Sequence, residues 1–185
     1  MGEHEVGRRA VFLDRDGVLN KSIIRDGRPY PPSAIEEFEL YQDVPAGCVQ
    51  LAAAGYVLVV VTNQPDVGRK TQTRDKVEAM HRKMLEALPQ IARVETCWHG
   101  GSDWGEPCEC RKPKPGMILH AAKELEIDLT RSFMIGDRWR DVNCGRQAGC
   151  RTVFIDHGYS EDLRDKPDWT VKSFGEAVAV VLKEG

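Results

Sequence analysis

The sequence predicts an α/β fold built on a doubly wound parallel sheet, and three observations support this prediction. Short apolar runs without polar alternation are typical of strands that helices cover on both faces. The four runs are Ala10–Leu13, Val57–Val61, Phe133–Ile135 and Thr152–Ile155. As the second observation, helical patterns of about three turns separate these runs. As the third, polar residues follow three of the four runs. Strands that alternate with helices in this way form right-handed βαβ units and a single sheet.

Four helices are predicted from capping residues and apolar periodicity. They are Pro45–Ala54, Thr73–Leu88, Gly116–Leu125 and a C-terminal helix that opens with Ser173. Asp43 caps the first of these, and Gly55 ends it. Glu176 stands at capping-box spacing from Ser173.

Length and charge exclude several classes of protein. The chain has 185 residues, 41% of them hydrophobic and 30% charged, with a net charge of −3. This composition is typical of one globular domain, which we expect to span residues 1–185 as a monomer. The longest apolar run, Val57–Val61, is too short to cross a membrane. The absence of a basic stripe argues against nucleic-acid binding. Met1–Arg9 lacks the apolar segment of a secretory signal, so we expect a cytoplasmic protein.

The polar residues after the strands indicate a ligand site, since ligands of doubly wound sheets bind beyond the carboxyl ends of the strands. Asp14 and Asp16 follow the first strand, and Asp137 follows the third. Carboxylates gathered at one edge repel one another unless a cation or a shared proton relieves them. Oxygen ligands of this kind suit Mg²⁺. The alternative is that each aspartate caps a turn or a helix.

The cysteines suggest a second metal. Cys97, His99, Cys108 and Cys110 form a Cys-x-His and Cys-x-Cys set that suits tetrahedral Zn²⁺ with every position filled. The intervening segment has little apolar surface, so zinc would stabilise a loop at about residues 97–110. The alternative is ordinary thiols beside a surface histidine. The remaining cysteines fit packing positions in the core; they are Cys48, Cys144 and Cys150.

Four segments resemble, in order, the four motifs of the haloacid-dehalogenase (HAD) superfamily of phosphohydrolases. They are Phe12–Asn20, Val59–Gln64, Cys110–Pro113, and Ile135–Asp137 with Asp141. The resemblance runs from about residue 10 to residue 157 and implies a Rossmann-like HAD core. Segments between the motifs are too short for a large cap domain.

The resemblance implies a phosphatase mechanism. Asp14 would attack phosphorus to form an aspartyl-phosphate, and Asp16 would act as general acid and then as general base. Mg²⁺ would bind the Asp14 carboxylate, the Asp16 backbone carbonyl and Asp137. The Thr62 hydroxyl and the Asn63 backbone N–H would bind the phosphoryl oxygens, and Lys112 would supply a fixed positive charge.

Other roles follow from the same resemblance or stay open. The resemblance implies substrate contacts for Asn20, Asn63, Gln64, Arg69, Arg111 and Arg138. Lys114 is an alternative to Lys112, or else a solvated lysine. Asp141 either reaches the metal through water or caps a helix over Val142–Ala148.

Within the superfamily, the zinc set and the segment Arg111–Met117 resemble the group of phosphatases that act on heptose bisphosphates and histidinol phosphate. The implied reaction is removal of the 7-phosphate of D-glycero-D-manno-heptose 1,7-bisphosphate, a small phosphorylated sugar. Histidinol phosphate or another small phosphomonoester is the alternative substrate. The segment Lys21–Pro29 replaces the His-Gly-Tyr stretch of the heptose enzymes, and Pro65–Arg69 keeps only the arginine of theirs. Less favoured classes are a polynucleotide 3′-phosphatase and a non-enzymatic zinc-stabilised binding module.

Overall fold

The computed structural model describes residues 7–185, so the first six residues of the predicted domain and of the polar stretch Met1–Arg9 lie outside it. The strands are β1 (Ala10–Leu13), β2 (Ile23–Arg25), β3 (Arg28–Tyr30), β4 (Val57–Asn63), β5 (Ile91–Cys97), β6 (Phe133–Gly136), β7 (Arg151–Ile155) and β8 (Trp169–Val171). The helices are α1 (Val44–Ala53), α2 (Pro65–Gly68), α3 (Arg74–Ala87), α4 (Gly116–Leu125), α5 (Trp139–Ala148) and α6 (Phe174–Glu184).

Six strands form one parallel sheet in the order β5-β4-β1-β6-β7-β8. The predicted doubly wound sheet is therefore confirmed. β1 lies between β4 and β6, with Leu13 opposite both Val60 and Ile135. Because the strand order reverses direction at β1, the ends of these three strands surround the crevice where ligands of such folds bind.

Alternate residues of each strand pack against opposite helical layers. Val11 and Leu13 contact the core formed with α1, α3 and α6, whereas Ala10 and Phe12 contact the core formed with α4 and α5. Apolar side chains on both faces explain why these strands lack polar alternation. The three remaining cysteines lie in these cores, as predicted: Cys48 in the first, and Cys144 and Cys150 in the second.

The edge strands β5 and β8, the hairpin β2–β3, the short helix α2 and the start of α5 differ from the sequence prediction. β5 and β8 were not predicted, because β5 is largely half-buried and β8 has only 3 residues. α5 begins at Trp139 rather than at Val142, so Asp141 lies inside the first turn instead of capping the helix. The Asp141 carboxylate accepts a hydrogen bond from the Arg138 backbone N–H at 3.0 Å, which stabilises the earlier start.

The segment between β1 and α1 is short and holds the antiparallel hairpin β2–β3 and a 3₁₀ turn at Ile35–Glu37. No large cap domain is present among residues 7–185, in agreement with the prediction. Within the same range, no helix has the length and apolarity that crossing a membrane requires.

Candidate active site and cation sites

Three carboxylates meet at the carboxyl edge of the sheet. Asp14 follows β1, Asp137 follows β6, and Asp141 lies in the first turn of α5. All three are buried, and ligand oxygens from each lie within 4.8 Å of one another. Because β1 and β6 are neighbouring parallel strands, their ends place Asp14 and Asp137 side by side. The structure thus brings together Asp14 and Asp137 of the predicted cluster and adds Asp141, whereas the Asp16 carboxylate is not part of this group.

Lys112 is the buried cation of this cluster. Its Nζ lies 2.9 Å from Asp14 Oδ1 and 2.7 Å from Asp141 Oδ1, and it donates to the Val61 carbonyl at 2.9 Å. Burial opposes the charge on Lys112, but the two carboxylates raise its pKa overall. Lys114, the alternative, is exposed and donates instead to the Cys108 carbonyl and to Glu109.

The cluster carries more negative charge than Lys112 can balance. Burial raises the pKa of Asp14 to about 7, with Lys112 opposing this shift and Asp141 adding to it. Burial raises the pKa of Asp137 as well, and the carboxylates of Asp14 and Asp141 add to the shift. Carboxyl groups whose charged form is so disfavoured need a further cation if they are to ionise near neutral pH.

Asp137 shows that the site fits a metal. Both of its carboxylate oxygens are buried and have no hydrogen-bond partner within residues 7–185. Unpaired buried oxygens are costly unless an ion or water satisfies them. Gly17 makes room beside them, since a Cβ at that position would lie 1.9 Å from Asp137 Oδ2. The all-oxygen donor set suits Mg²⁺, and the side chains that would hold it are Asp14, Asp137 and Asp141.

Asp16 takes a different position from the other aspartates. Its carboxylate accepts hydrogen bonds from Arg15 Nη2 at 2.9 Å, Asn20 Nδ2 at 3.0 Å and Gln64 Nε2 at 2.8 Å. Its carboxylate is not among the three that could together hold a metal ion. The predicted contribution of Asp16 to the metal uses its backbone carbonyl and is not affected by this position.

The sequence did not predict the buried position of Arg15 beside Asp16. Its side chain is fully buried and forms an ion pair with Asp16 at 2.9 Å. A charged residue between two aspartates gives no sign of burial in the sequence, because arginine is mostly exposed in proteins. His157 was also missed, although its Nε2 lies 2.7 Å from the Gly17 carbonyl and holds the turn after Asp16.

A cavity of about 360 Å³ opens over the carboxylate cluster. Most predicted site residues line it: Asp14, Asp16, Asn63, Arg69, Arg111, Lys112, Asp137 and Arg138. Asn20, Thr62 and Gln64 are buried and are not among its lining residues. Gln64 Nε2 donates to Thr62 Oγ1 at 3.0 Å as well as to Asp16. Asn20 and Gln64 thus contact other site residues, and their predicted substrate contacts stay predictions.

Asn63 connects the end of β4 to the loop that carries Lys112. Its Nδ2 donates to the Lys112 carbonyl at 3.1 Å, and its Oδ1 accepts from the Lys112 backbone N–H at 3.1 Å. This reciprocal pair fixes the backbone of Lys112 relative to the sheet. The side chain of Asn63 therefore has a structural contact in addition to the predicted phosphate contact of its backbone N–H.

The predicted arginines differ in their partners. Arg138 forms an ion pair with Glu161, and Arg69 lies 3.7 Å from Asp66. Arg111 donates to the His99 carbonyl at 3.5 Å. Burial lowers the pKa of Arg111, and the nearby Arg140 and Arg69 lower it further. One wall of the cavity is therefore strongly positive.

The four predicted zinc ligands come together at the loop 97–110. Cys97 Sγ lies 3.7 Å from Cys108 Sγ and 3.6 Å from His99 Nδ1, and Cys110 Sγ lies 3.3 Å from His99 Nδ1. Ligands about 2.0–2.3 Å from a tetrahedral zinc ion stand about 3.3–3.8 Å apart. Burial raises the pKa of Cys97, so its thiolate form requires a cation. The donor set and its spacing therefore fit zinc.

Comparison with known proteins gives consistent results. The family model described as HAD-hydrolase-like matches residues 109–177. The D-glycero-beta-D-manno-heptose-1,7-bisphosphate 7-phosphatase of Pasteurella multocida is 34% identical over 179 residues, covering 91% of this chain and 94% of that protein. The enzyme of the same name from Rhodopseudomonas palustris is 41% identical over 150 residues, covering 77% and 80%.

A solved structure is similar over nearly the full chain. The D,D-heptose 1,7-bisphosphate phosphatase from B. bronchiseptica, complexed with magnesium and phosphate, superimposes with a TM-score of 0.79 at 26% identity. The similarity covers 96% of this chain and 99% of that one.

Proposed function

We infer the function of this chain from one premise: it belongs to the HAD family of phosphatases that includes the D-glycero-D-manno-heptose-1,7-bisphosphate 7-phosphatases. It is a phosphomonoester hydrolase that removes the 7-phosphate of D-glycero-D-manno-heptose 1,7-bisphosphate. The observation that supports this reaction is the cluster of Asp14, Asp137 and Lys112 on the wall of one cavity, where buried carboxylates require an additional cation.

The chain's own residues would carry the reaction in two steps. Asp14 attacks phosphorus while the bond between phosphorus and the sugar oxygen breaks, which yields an aspartyl-phosphate. Asp16 donates a proton to the departing sugar oxygen. Water then attacks phosphorus, Asp16 accepts its proton, and cleavage of the acyl-phosphate bond restores Asp14.

Lys112 and the metal would offset the charge of the phosphoryl group. Lys112 Nζ is held between Asp14 and Asp141, so its positive charge is fixed before substrate binds. HAD phosphatases use Mg²⁺, which Asp14, the Asp16 carbonyl and Asp137 would hold here, with Asp141 as a further ligand. When bound, it would neutralise charge on the phosphoryl oxygens. Thr62 and the Asn63 backbone N–H would bind the same oxygens.

The loop 97–110 would hold a structural zinc ion. All four ligand positions are filled by Cys97, His99, Cys108 and Cys110, so no coordination site is left for substrate. Cys110 is separated from Lys112 by a single residue. Zinc would therefore position the lysine of the active site without taking part in the reaction.

The remaining features of the proposal concern the molecule as a whole. Three of the four motifs lie at strand ends of one continuous sheet, and Asn63 hydrogen-bonds the fourth to it, which supports a single phosphatase domain over residues 1–185. The net charge of −3 supports a small-molecule substrate rather than a nucleic acid. A cytoplasmic protein stays the expectation from the polar segment Met1–Arg9, and a monomer stays the default expectation.

The test is phosphate release by the purified protein with Mg²⁺. We expect the kcat/KM for heptose 1,7-bisphosphate to exceed that for histidinol phosphate by at least about 100-fold, the discrimination that a site built for polar groups can reach. A preference for histidinol phosphate would reject the heptose assignment while retaining the phosphatase. Absence of turnover on both substrates and on other phosphomonoesters would reject the enzyme.

A further inference from the structure

The hairpin β2–β3, residues 23–30, forms the part of the cavity wall that the proposed mechanism does not use. Arg28, Pro29 and Tyr30 line the cavity, as do the flanking Ser22 and Pro31. Arg25, on the facing strand, is not among the lining residues. The hairpin therefore presents one of its two paired arginines to the space where substrate would bind.

The hairpin is held in a defined position. Asp26 and Gly27 occupy its turn with φ of 49° and 71°, the positive values that a tight two-residue hairpin requires. The register pairs Arg25 with Arg28 and Ile23 with Tyr30. The Gly27 carbonyl accepts a hydrogen bond from the Ser160 N–H at 3.3 Å, so the tip is attached to the segment after β7. Arg28 thus projects from a well-supported element.

The charges of the cavity wall single out Arg28. Five arginines line the cavity, and three of them face a carboxylate: Arg69 lies near Asp66, and both Arg138 and Arg140 lie near Glu161. Arg28 and Arg111 have no ion-pair partner within residues 7–185. Arg111 donates to a backbone carbonyl, whereas the guanidinium of Arg28 has neither an ion pair nor a hydrogen bond in that range. Arg28 is therefore the lining arginine that no residue within 7–185 contacts through an ion pair or a side-chain hydrogen bond.

We propose that Arg28 is a specificity-determining residue that binds the second, non-reacting phosphate of a bisphosphorylated sugar. This assignment rests on the proposed function. The reacting phosphate is accounted for by Asp14, Lys112 and the metal ligands, so Arg28 is available for a second anion. A guanidinium forms paired hydrogen bonds to phosphate oxygens, which a lysine ammonium cannot reproduce. The exposed phenol of Tyr30, beside Arg28, offers a further donor.

The experiment compares two ligands that differ only in the second phosphate. The heptose 1,7-bisphosphate and the corresponding heptose 7-phosphate are assayed with the wild-type protein and with Arg28→Ala, Arg28→Lys and Arg25→Ala. We expect Arg28→Ala to lower kcat/KM for the bisphosphate by about 10–150-fold, the range of one hydrogen bond to a charged group, and for the 7-phosphate by less than about twofold. Arg28→Lys should recover only part of the loss.

Arg25→Ala is the matched control, because it removes the cross-strand partner of Arg28 from the same hairpin without removing a lining side chain. Near-wild-type values for both ligands are expected. Equal losses for both ligands in Arg28→Ala would overturn the proposal, since they would indicate a structural role. Unchanged kinetics in Arg28→Ala would overturn it as well.

A binding measurement separates this proposal from the proposed function. The dissociation constants of both ligands are measured by calorimetry with Mg²⁺ in the Asp14→Asn background, with and without Arg28→Ala. Tighter binding of the bisphosphate that depends on Arg28 supports the assignment even if the wild-type enzyme does not hydrolyse the bisphosphate, in which case only the reaction is wrong. Equal affinity for the two ligands with Arg28 present overturns the assignment.

Discussion

The carboxylate cluster and the Cys–His cluster each gather groups that cannot all be charged without a cation, but they differ in what holds them. Asp14 and Asp137 follow adjacent buried strands, and Lys112 already neutralises part of their charge. Of the four ligands of the loop 97–110, Cys97 ends β5 and is buried, but the segment that carries the other three is mostly exposed. The sheet therefore places the first cluster, whereas the second depends on the metal it would bind.

A second difference is access. The carboxylate cluster opens into the cavity, which leaves room for a phosphate beside the metal. In the Cys–His cluster, the four side chains would occupy all four positions around a tetrahedral ion, which leaves none for a substrate. An open site suits catalysis and a closed one suits structure. Substitutions of the carboxylates should therefore abolish activity with little loss of stability, whereas substitutions of the zinc ligands should act chiefly through a loss of stability.

The largest expected effect is that of Asp14→Asn. We expect kcat to fall by at least about 10³-fold, because the nucleophile is lost. The melting temperature should not decrease, because the substitution removes a buried carboxyl group whose ionised form is unfavourable. Burial raises the pKa of this group to about 7. Phosphate release and thermal unfolding measure the two effects. An activity loss of less than tenfold would be inconsistent with Asp14 as nucleophile.

Cys108→Ser should show the opposite pattern. We expect the zinc content to fall from about one ion per chain and the stability to drop by about 3 kcal/mol, or about 6–12 °C in melting temperature. Elemental analysis and calorimetry provide the measurement. Cys48→Ala is the control, because Cys48 lies in the core on the other face of the sheet and its loss should leave zinc bound. Unchanged stability in Cys108→Ser would contradict a structural role for zinc.

The two clusters should also respond differently to pH. In the metal-free carboxylate cluster, the folded-state pKa of Asp14 lies at about 7, above its ordinary value of 3.8. The folded state therefore retains the proton more strongly, and the stability that this provides is lost as pH rises from about 4 through 7. Mg²⁺ should accordingly stabilise the protein more at pH 8 than at pH 5, by about 2 kcal/mol or about 4–8 °C.

Thermal unfolding with and without Mg²⁺ across this pH range measures the difference, with zinc kept bound. Asp14→Asn provides the control, because it removes the group that titrates. A Mg²⁺ effect that does not depend on pH in the wild-type protein would argue against ionisation of Asp14 on metal binding.

The smallest effect concerns the contact between the end of β4 and the backbone of Lys112, which follows the loop 97–110. Asn63→Leu removes both hydrogen bonds to the Lys112 backbone, so we expect kcat to fall by about tenfold, equivalent to about 1.4 kcal/mol. Asn63→Asp keeps the acceptor and loses the donor. Its kcat should lie between that of Asn63→Leu and that of the wild type. Wild-type kcat in Asn63→Leu would show that the zinc loop positions Lys112 without help from the sheet.

Sequence reasoning found the parts of this molecule that leave a local signal. The central strands are continuous apolar runs, and Asp14 and Asp137 follow two of them directly. β5 escaped notice because it is only half covered. The hairpin β2–β3 was missed although Asp26-Gly27 is a characteristic turn signal. The reason is that its two strands have only 3 residues each and mix polar with apolar side chains.

Contacts between distant segments could not be predicted. The hydrogen bond from Gln64 to Asp16 joins residues 48 positions apart, and that from Asn63 to Lys112 joins residues 49 positions apart. Each depends on which strand ends are neighbours and on the rotamers chosen there. The sequence places these polar residues at strand ends but does not determine which of them face substrate and which hold one another.

The paired hydrogen bonds between Asn63 and Lys112 also set a rule for engineering. A designer who wishes to move the segment 97–112 into another parallel-sheet scaffold must take Asn63, the final residue of β4, with it, because that side chain makes both hydrogen bonds to the Lys112 backbone. The smallest portable unit is therefore discontinuous. It consists of the end of one strand and a loop nearly fifty residues later in the chain.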